Sequence, residues 1–294
     1  MKKLISFLVF ITPLFLHAYD LKFLNYYPFK VGEKMIFSVR VLGIFIGEQH
    51  VTLDYCTNYL GLKVIVGGGY LATTPFISTM YKIEDSEKTF FLPEGFIPLY
   101  YERWVNEGSW HDNMKFYFYP GQRTVLIAQK VNNYQKQAIN YTGTLRNYFT
   151  LISCMRSVDY DYYISNKINV EIDYLFGTTL KKAVFKPSYS KVRYGIEGWI
   201  DGIVLNEVGG IGMRFQLIRN QTRTPLRLIV PAFDVIGFKT ISVDVELRKH
   251  IEGKYDILTF LTNESMDSCI PCESSSKSAG STTGEPTSSS SNNK

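Results

Sequence analysis

Apolar and polar residues alternate along most of the chain, with the two-residue period of strands that bury one face. The pattern starts after Pro28 and runs from Met35 to Arg40. A bend marked by Gly43 and Gly47 follows, and alternation resumes over residues 48–55, with Val51 and Leu53 on one face and His50, Thr52 and Asp54 on the other. A third strand, residues 61–66, runs into Gly67-Gly68-Gly69, which reads as a flexible turn or bulge at the strand end. Asp85-Ser86-Glu87 and Pro93-Glu94-Gly95 read as turns. The clearest signal is central: residues 99–105, 109–119 and 123–129 form three antiparallel strands joined by Asn106-Glu107-Gly108 and Pro120-Gly121-Gln122.

One stretch breaks the period. Leu145, Tyr148, Phe149, Ile152 and Met155 follow helical three-and-four spacing, so a helix over about residues 145–156 is expected, capped by Thr142 or Thr144. Strands then resume at 167–175, 180–185, 194–199, 213–219, 226–230 and 239–249. The fold class is therefore all-β, mainly antiparallel. About ten to thirteen strands form a strongly curved sheet, open barrel or β-roll with one short helix.

The ends differ in composition. Lys2 and Lys3 precede the apolar run from Leu4 to Leu16, and Ala18 offers a small residue for cleavage, although Leu16 stands where a smaller residue is usual. This is the pattern of a secretory signal peptide over residues 1–18, and the run falls short of the ~20 residues of a transmembrane helix. The alternative is a retained anchor. No cysteine follows the cut, which argues against a lipid anchor there. Residues 19–262 are expected to form a single β-rich domain, and the Ser-, Thr- and Asn-rich residues 263–294 a disordered tail. The expected location is the periplasm or cell envelope, with no transmembrane segment after cleavage.

Charge and cysteines narrow the chemistry. Loss of Lys2 and Lys3 lowers the net charge from +5 to +3, and the basic residues are scattered, so no nucleic-acid partner is indicated. Cys56, Cys154, Cys269 and Cys272 are too few for a disulfide scaffold. Cys269-Ile270-Pro271-Cys272 lacks the strand-to-helix context of a redox motif; it reads as a local disulfide or as a source of pairing with a folded-domain cysteine.

No catalytic motif emerges. His50, His111 and His250 lack the spacing of a zinc site, no Gly-x-Ser-x-Gly elbow occurs, and Val208-Gly209-Gly210-Ile211-Gly212-Met213 reads as a turn, so neither metal nor cofactor is expected. The acid pairs Glu84 with Asp85 and Asp159 with Asp161 read as solvated turn residues.

Short motifs carry a resemblance. Pro28-Phe29-Lys30-Val31-Gly32-Glu33, the bend at Leu42-Gly43-Ile44, Tyr81-Lys82-Ile83-Glu84-Asp85, Leu92-Pro93-Glu94, Ile97-Pro98-Leu99-Tyr100-Tyr101, and a helix closing at Met155-Arg156 lie in order. In these the chain resembles the bacterial exported-protein family catalogued as domain of unknown function 3108. Met155 stands where the family usually has Leu, and Thr142 or Thr144 replaces an acidic residue near the helix start. The resemblance implies a curved antiparallel sheet with one helix, and export; it supplies no catalytic residue and no ligand.

The functional expectation is a non-enzymatic envelope protein that binds an apolar or amphipathic ligand such as a lipid. The alternative is an assembly protein docking on another envelope protein. The candidate ligand-binding residues are Tyr100, Trp104, Trp110, Phe116 and Tyr117, because Tyr and Trp combine apolar area with a polar edge. The competing explanation for these aromatics is ordinary sheet packing.

Overall fold

The computed structural model describes residues 21–195, 198–210, 212–232 and 241–269. The expected signal peptide and residues 270–294 of the expected tail lie outside them. One continuous sheet of 15 strands organises the chain. Its first half is a meander in sequence order: β1 (Lys34–Val41), β2 (Ile44–Tyr59), β3 (Leu62–Thr73), β4 (Glu84–Leu92), β5 (Ile97–Glu107), β6 (Trp110–Tyr119), β7 (Thr124–Gln129) and β8 (Lys136–Asn140). The second half comprises β9 (Leu145–Arg146), β10 (Val170–Phe176), β11 (Thr179–Tyr194), β12 (Gly198–Glu207), β13 (Arg214–Ile218), β14 (Pro225–Ala232) and β15 (Ile241–Ile251). The halves meet where β1 pairs with β15, Val39 opposite Val245. Neighbours are antiparallel except the short β9, which runs parallel to β10.

The sheet curls without closing. Bulges between Ile36 and Phe37, Leu53 and Tyr55, and Phe90 and Phe91 shift register and increase local bend. As a result Leu145 of β9 and Leu175 of β10 return to pack with Tyr101, Met114 and Phe116 of β5 and β6. Arg146 strengthens this seam by donating from Nη2 to the Gly95 carbonyl at 2.9 Å. The architecture is an open, barrel-like antiparallel sheet, as the alternation implied. β8 and β9 are too short to give a periodic signal, and they raise the strand number above the expected range.

Among the described residues there are four α-helical segments, α1 (Pro75–Ser78), α2 (Tyr148–Ser157), α3 (Tyr160–Ser165) and α4 (Ile257–Thr262), besides three single 3-10 turns. Only α2 is long enough to have been legible as a stripe. Its cap is Asn147 rather than Thr142 or Thr144, because β9 occupies the residues just before it. Asn147 Oδ1 accepts from the Thr150 amide at 2.8 Å, and the Thr150 hydroxyl returns the bond, forming a capping box. Asn147 Nδ2 also donates to Thr89 Oγ1 of β4 at 3.0 Å, so the cap ties the helix to the sheet.

The glycine run is not a turn. Gly67, Gly68 and Gly69 lie within β3 and keep strand pairing to β2 and β4. A Cβ on Gly67 would stand 2.7 Å from Phe149 Cε1, so the bare backbone is what lets α2 approach the sheet. At the far end, residues 263–269 run back along β2. Cys269 forms a disulfide with Cys56, and Asn58 Nδ2 donates to Asp267 at 3.0 Å, so the placed chain continues past the boundary expected at 262. Cys154 is a buried free thiol on α2.

Gly67→Ala should therefore destabilise the protein by about 1–3 kcal/mol, the range for overpacking a filled interior, in urea unfolding. Gly121→Ala, with open space around the new methyl, should change stability by less than about 0.5 kcal/mol.

Candidate functional groove

Helix α2 lies on the concave side of the sheet, and its two faces do different things. Phe149 seats on the glycine patch. Tyr148, Leu151 and Ile152, at the spacing of one helix face, are left to form the wall of a groove. Across from them stand Phe185, Phe215, Leu228 and Val230 from β11, β13 and β14, enclosing an apolar cavity of about 220 Å³. A small space of about 20 Å³ beside Gln49, Val51 and Ile152 adjoins it, sharing Tyr148, Phe215 and Leu228. A second chamber of about 310 Å³ is lined by Leu71, Glu87, Tyr101, Arg103, Phe116 and Tyr148, among others. Tyr148 borders all three spaces, and Phe176, on the β10–β11 hairpin, borders both chambers.

The second chamber is polar on one side. Arg103 Nη2 bonds Asp85 Oδ2 at 2.5 Å and Glu107 Oε1 at 3.2 Å, and the Asn106 amide donates to Asp85 Oδ1 at 2.9 Å. Asp85 is buried. Asp85-Ser86-Glu87 is part of β4 rather than a solvated turn, because Arg103 on the neighbouring strand supplies the counter-charge.

Beside this set, the Tyr101 hydroxyl donates to Glu87 Oε2 at 2.7 Å. Burial pushes the Glu87 carboxyl above its ordinary value, against the Tyr101 bond and the Arg103 charge, with Asp85 adding to the rise. Burial and the Glu87 charge together push the Tyr148 phenol up to about 12, while its bond to Gln49 opposes. An apolar chamber and a chamber edged by hydroxyls, a guanidinium and carboxyls thus lie on either side of Tyr148 and Phe176.

Of the five aromatics singled out in the sequence, Phe116 lines this groove. Side chains alternate across the sheet, so Tyr117 and its partner Tyr100 lie on the opposite face, with rings 5.4 Å apart. There they continue a row through Phe90 to Tyr59. Trp104 shares that outer face and is exposed, and Trp110 is exposed on the β5–β6 hairpin. The five do not converge on one cavity. Residue type alone missed Glu87, Tyr148 and Phe176; of these, only Tyr148 had a signal, as part of the helical stripe.

A buried ion cluster holds the far end of α2. Arg156 Nη1 donates to Glu33 Oε2 at 2.6 Å and Nη2 to Oε1 at 2.9 Å, while Nη2 also reaches the carbonyls of Pro28 and Thr222. His250 of β15 places Nε2 2.6 Å from Glu33 Oε1; a carboxylate only accepts, so Nε2 carries the proton. Glu33 is 3% exposed. Burial alone would raise its pKa, but the Arg156 charge and the bonds from His250 and Arg156 outweigh burial and hold it below its ordinary value. A cavity of about 340 Å³ adjoins the cluster beside Tyr26 and Tyr27, yet both Glu33 oxygens are already engaged.

The chain is similar to a β-barrel-like protein. That protein, of the domain of unknown function DUF1849 from Brucella abortus, has 8% sequence identity and a TM-score of 0.49, with 77% of this chain and 99% of that chain covered. No family model matches the chain, and no curated protein does. Among the described residues no helix is long and apolar enough to cross a membrane, and no group of three or more His, Cys, Asp or Glu could hold a metal ion.

Arg156→Met should cost about 3–5 kcal/mol in urea unfolding, because it strands a buried carboxylate. The double variant with Glu33→Gln should cost clearly less than the two singles combined. The Glu33 pKa is lower folded than unfolded, so the stability it contributes is complete above the ordinary carboxylate value near 4.5 and is lost as pH falls through the folded value. The double variant should show a shallower acid-side loss of stability than the wild type.

Proposed function

We propose that this protein is a non-enzymatic, exported cell-envelope protein that holds an apolar or amphipathic ligand, such as a lipid, in the groove between α2 and the concave face of the sheet. The observation that carries this reading is the clustering of three spaces under α2: the apolar chamber, the small space beside it and the polar-edged chamber are all bordered by Tyr148, and the two larger chambers also by Phe176. Such a space suits a ligand with a hydrocarbon part and a hydrogen-bonding head. The head would sit by Glu87 and Tyr101, and the chain would pass Tyr148 into the space between Ile152 and Val230.

One further observation supports the wider reading. The Cys56–Cys269 disulfide suits an oxidising compartment outside the cytosol, in keeping with the leader-like residues 1–18.

Native mass spectrometry of protein from an envelope extract, compared with protein refolded from denaturant, tests the reading. A lipid carried only by the native sample supports it; apo protein with a co-purifying polypeptide supports the assembly alternative. Val230→Trp should fill the apolar chamber and weaken binding of a fluorescent fatty acid at least tenfold, about 1.4 kcal/mol. Tyr117→Ala on the outer face should leave that binding unchanged.

A further inference from the structure

The two chambers beneath α2 differ in charge as well as in polarity, and the sign of that charge bears on the head of a ligand. Among the described residues, the charged side chains lining the second chamber are Asp85, Glu87 and Arg103. Arg103 stands directly opposite Glu87 in the β4–β5 register, yet its Nη2 bonds Asp85 and Glu107 instead. One guanidinium thus already serves two carboxyls, and Glu87 makes no ion pair among the described residues. Its Oε2 holds the Tyr101 hydroxyl, a neutral donor. Its Oε1 lies over β3, where a Cβ on Gly69 would stand 2.6 Å from it, so the bare glycine makes room for the carboxyl at the chamber wall.

A charge taken out of water is ordinarily paired. Here the counter-charge falls short, and burial holds the Glu87 carboxyl above its ordinary value in spite of Tyr101 and Arg103. The rest of the wall is aromatic. Tyr101, Phe116, Tyr148 and Phe176 line the same chamber, with the rings of Tyr101 and Phe116 5.1 Å apart. Aromatic rings attract cations, and more strongly where water is excluded. A positively charged group in this space would meet aromatic walls and the carboxyl that Arg103 leaves unpaired. An anionic group would instead meet three carboxyls, Asp85, Glu87 and Glu107, against one guanidinium.

We propose that the ligand held under α2 is an amphiphile with a cationic head of the ammonium class, its charge set between Glu87 and the aromatic walls of the second chamber. This rests on the ligand-holding reading above and names the ligand's class. A fatty acid still enters by its hydrocarbon part, with a weaker hold on its head.

The test is calorimetric titration of the processed chain, from Tyr19 onward and refolded free of bound lipid, with decylamine, decanol and decanoate at neutral pH, each below its micelle concentration. Decylamine should bind at least tenfold more tightly than decanol, and decanoate more weakly than either. The chain without Lys2 and Lys3 carries a net charge of +3, so attraction to the molecule as a whole would favour decanoate, and a preference for the amine reports the chamber. Glu87→Gln keeps an acceptor for Tyr101 and should bring decylamine down to the affinity of decanol. Decanol itself should bind this variant as it binds the wild type, which shows the chamber intact; if the variant does not fold, the wild-type order decides alone. Glu171→Gln, which removes an exposed carboxyl of β10, should keep that order. Equal affinity for the three ligands, tightest binding of decanoate, or an amine preference that survives Glu87→Gln would overturn the cationic head and leave the ligand-holding reading standing. Absence of binding by all three would overturn both.

Discussion

The Glu33–Arg156 ion pair is the contact on which the arrangement of the interior depends. It joins residues 123 positions apart, and His250 brings β15 to the same carboxylate. Burying two charges is expensive, and an apolar replacement of similar volume often stabilises a protein as well or better. What the pair adds is geometry. A guanidinium forked on a carboxylate fixes direction as well as distance, so the C-terminal end of α2 has one place to lie. The cap fixes the other end through the Asn147 bond to Thr89.

A helix held at both ends over a curved sheet leaves the groove as its consequence. The glycines of β3 let one face of α2 seat through Phe149, while the face bearing Tyr148, Leu151 and Ile152 meets a sheet that has curved away from it. The bulges that bend the sheet, and the contacts that return Leu145 and Leu175 to β5 and β6, set the width of that space. Of the two chambers only one is lined by carboxyls, Asp85 and Glu87, and there Arg103 and Tyr101 bond them. The groove is therefore polar at one side and apolar within, by the same packing that builds the domain.

The strands were legible because alternation is a local property: Met114, Phe116 and Phe118 are buried and the residues between them are less so. The same alternation explains why the aromatic group scattered. Tyr100 and Tyr117 pair on one face and Tyr101 and Phe116 on the other, a division that residue type alone does not reveal. Gly67-Gly68-Gly69 was ambiguous because glycine marks turns and close approaches alike; only the presence of Phe149 decides between them. Asp85 and Glu87 resembled a turn because their counter-charge and hydroxyl partner lie on β5, across the sheet. Glu33 and Arg156 each fell within a short motif, but nothing local to either shows that they meet.

Paramagnetic relaxation from a fatty acid carrying a nitroxide part-way along its chain would test the groove most directly. Read by NMR on the folded protein, it should broaden signals of Leu151, Ile152, Leu228 and Val230 while sparing Tyr100 and Tyr117 on the outer face. Broadening confined to the outer face, or none at saturating ligand, would contradict a ligand held between α2 and the sheet.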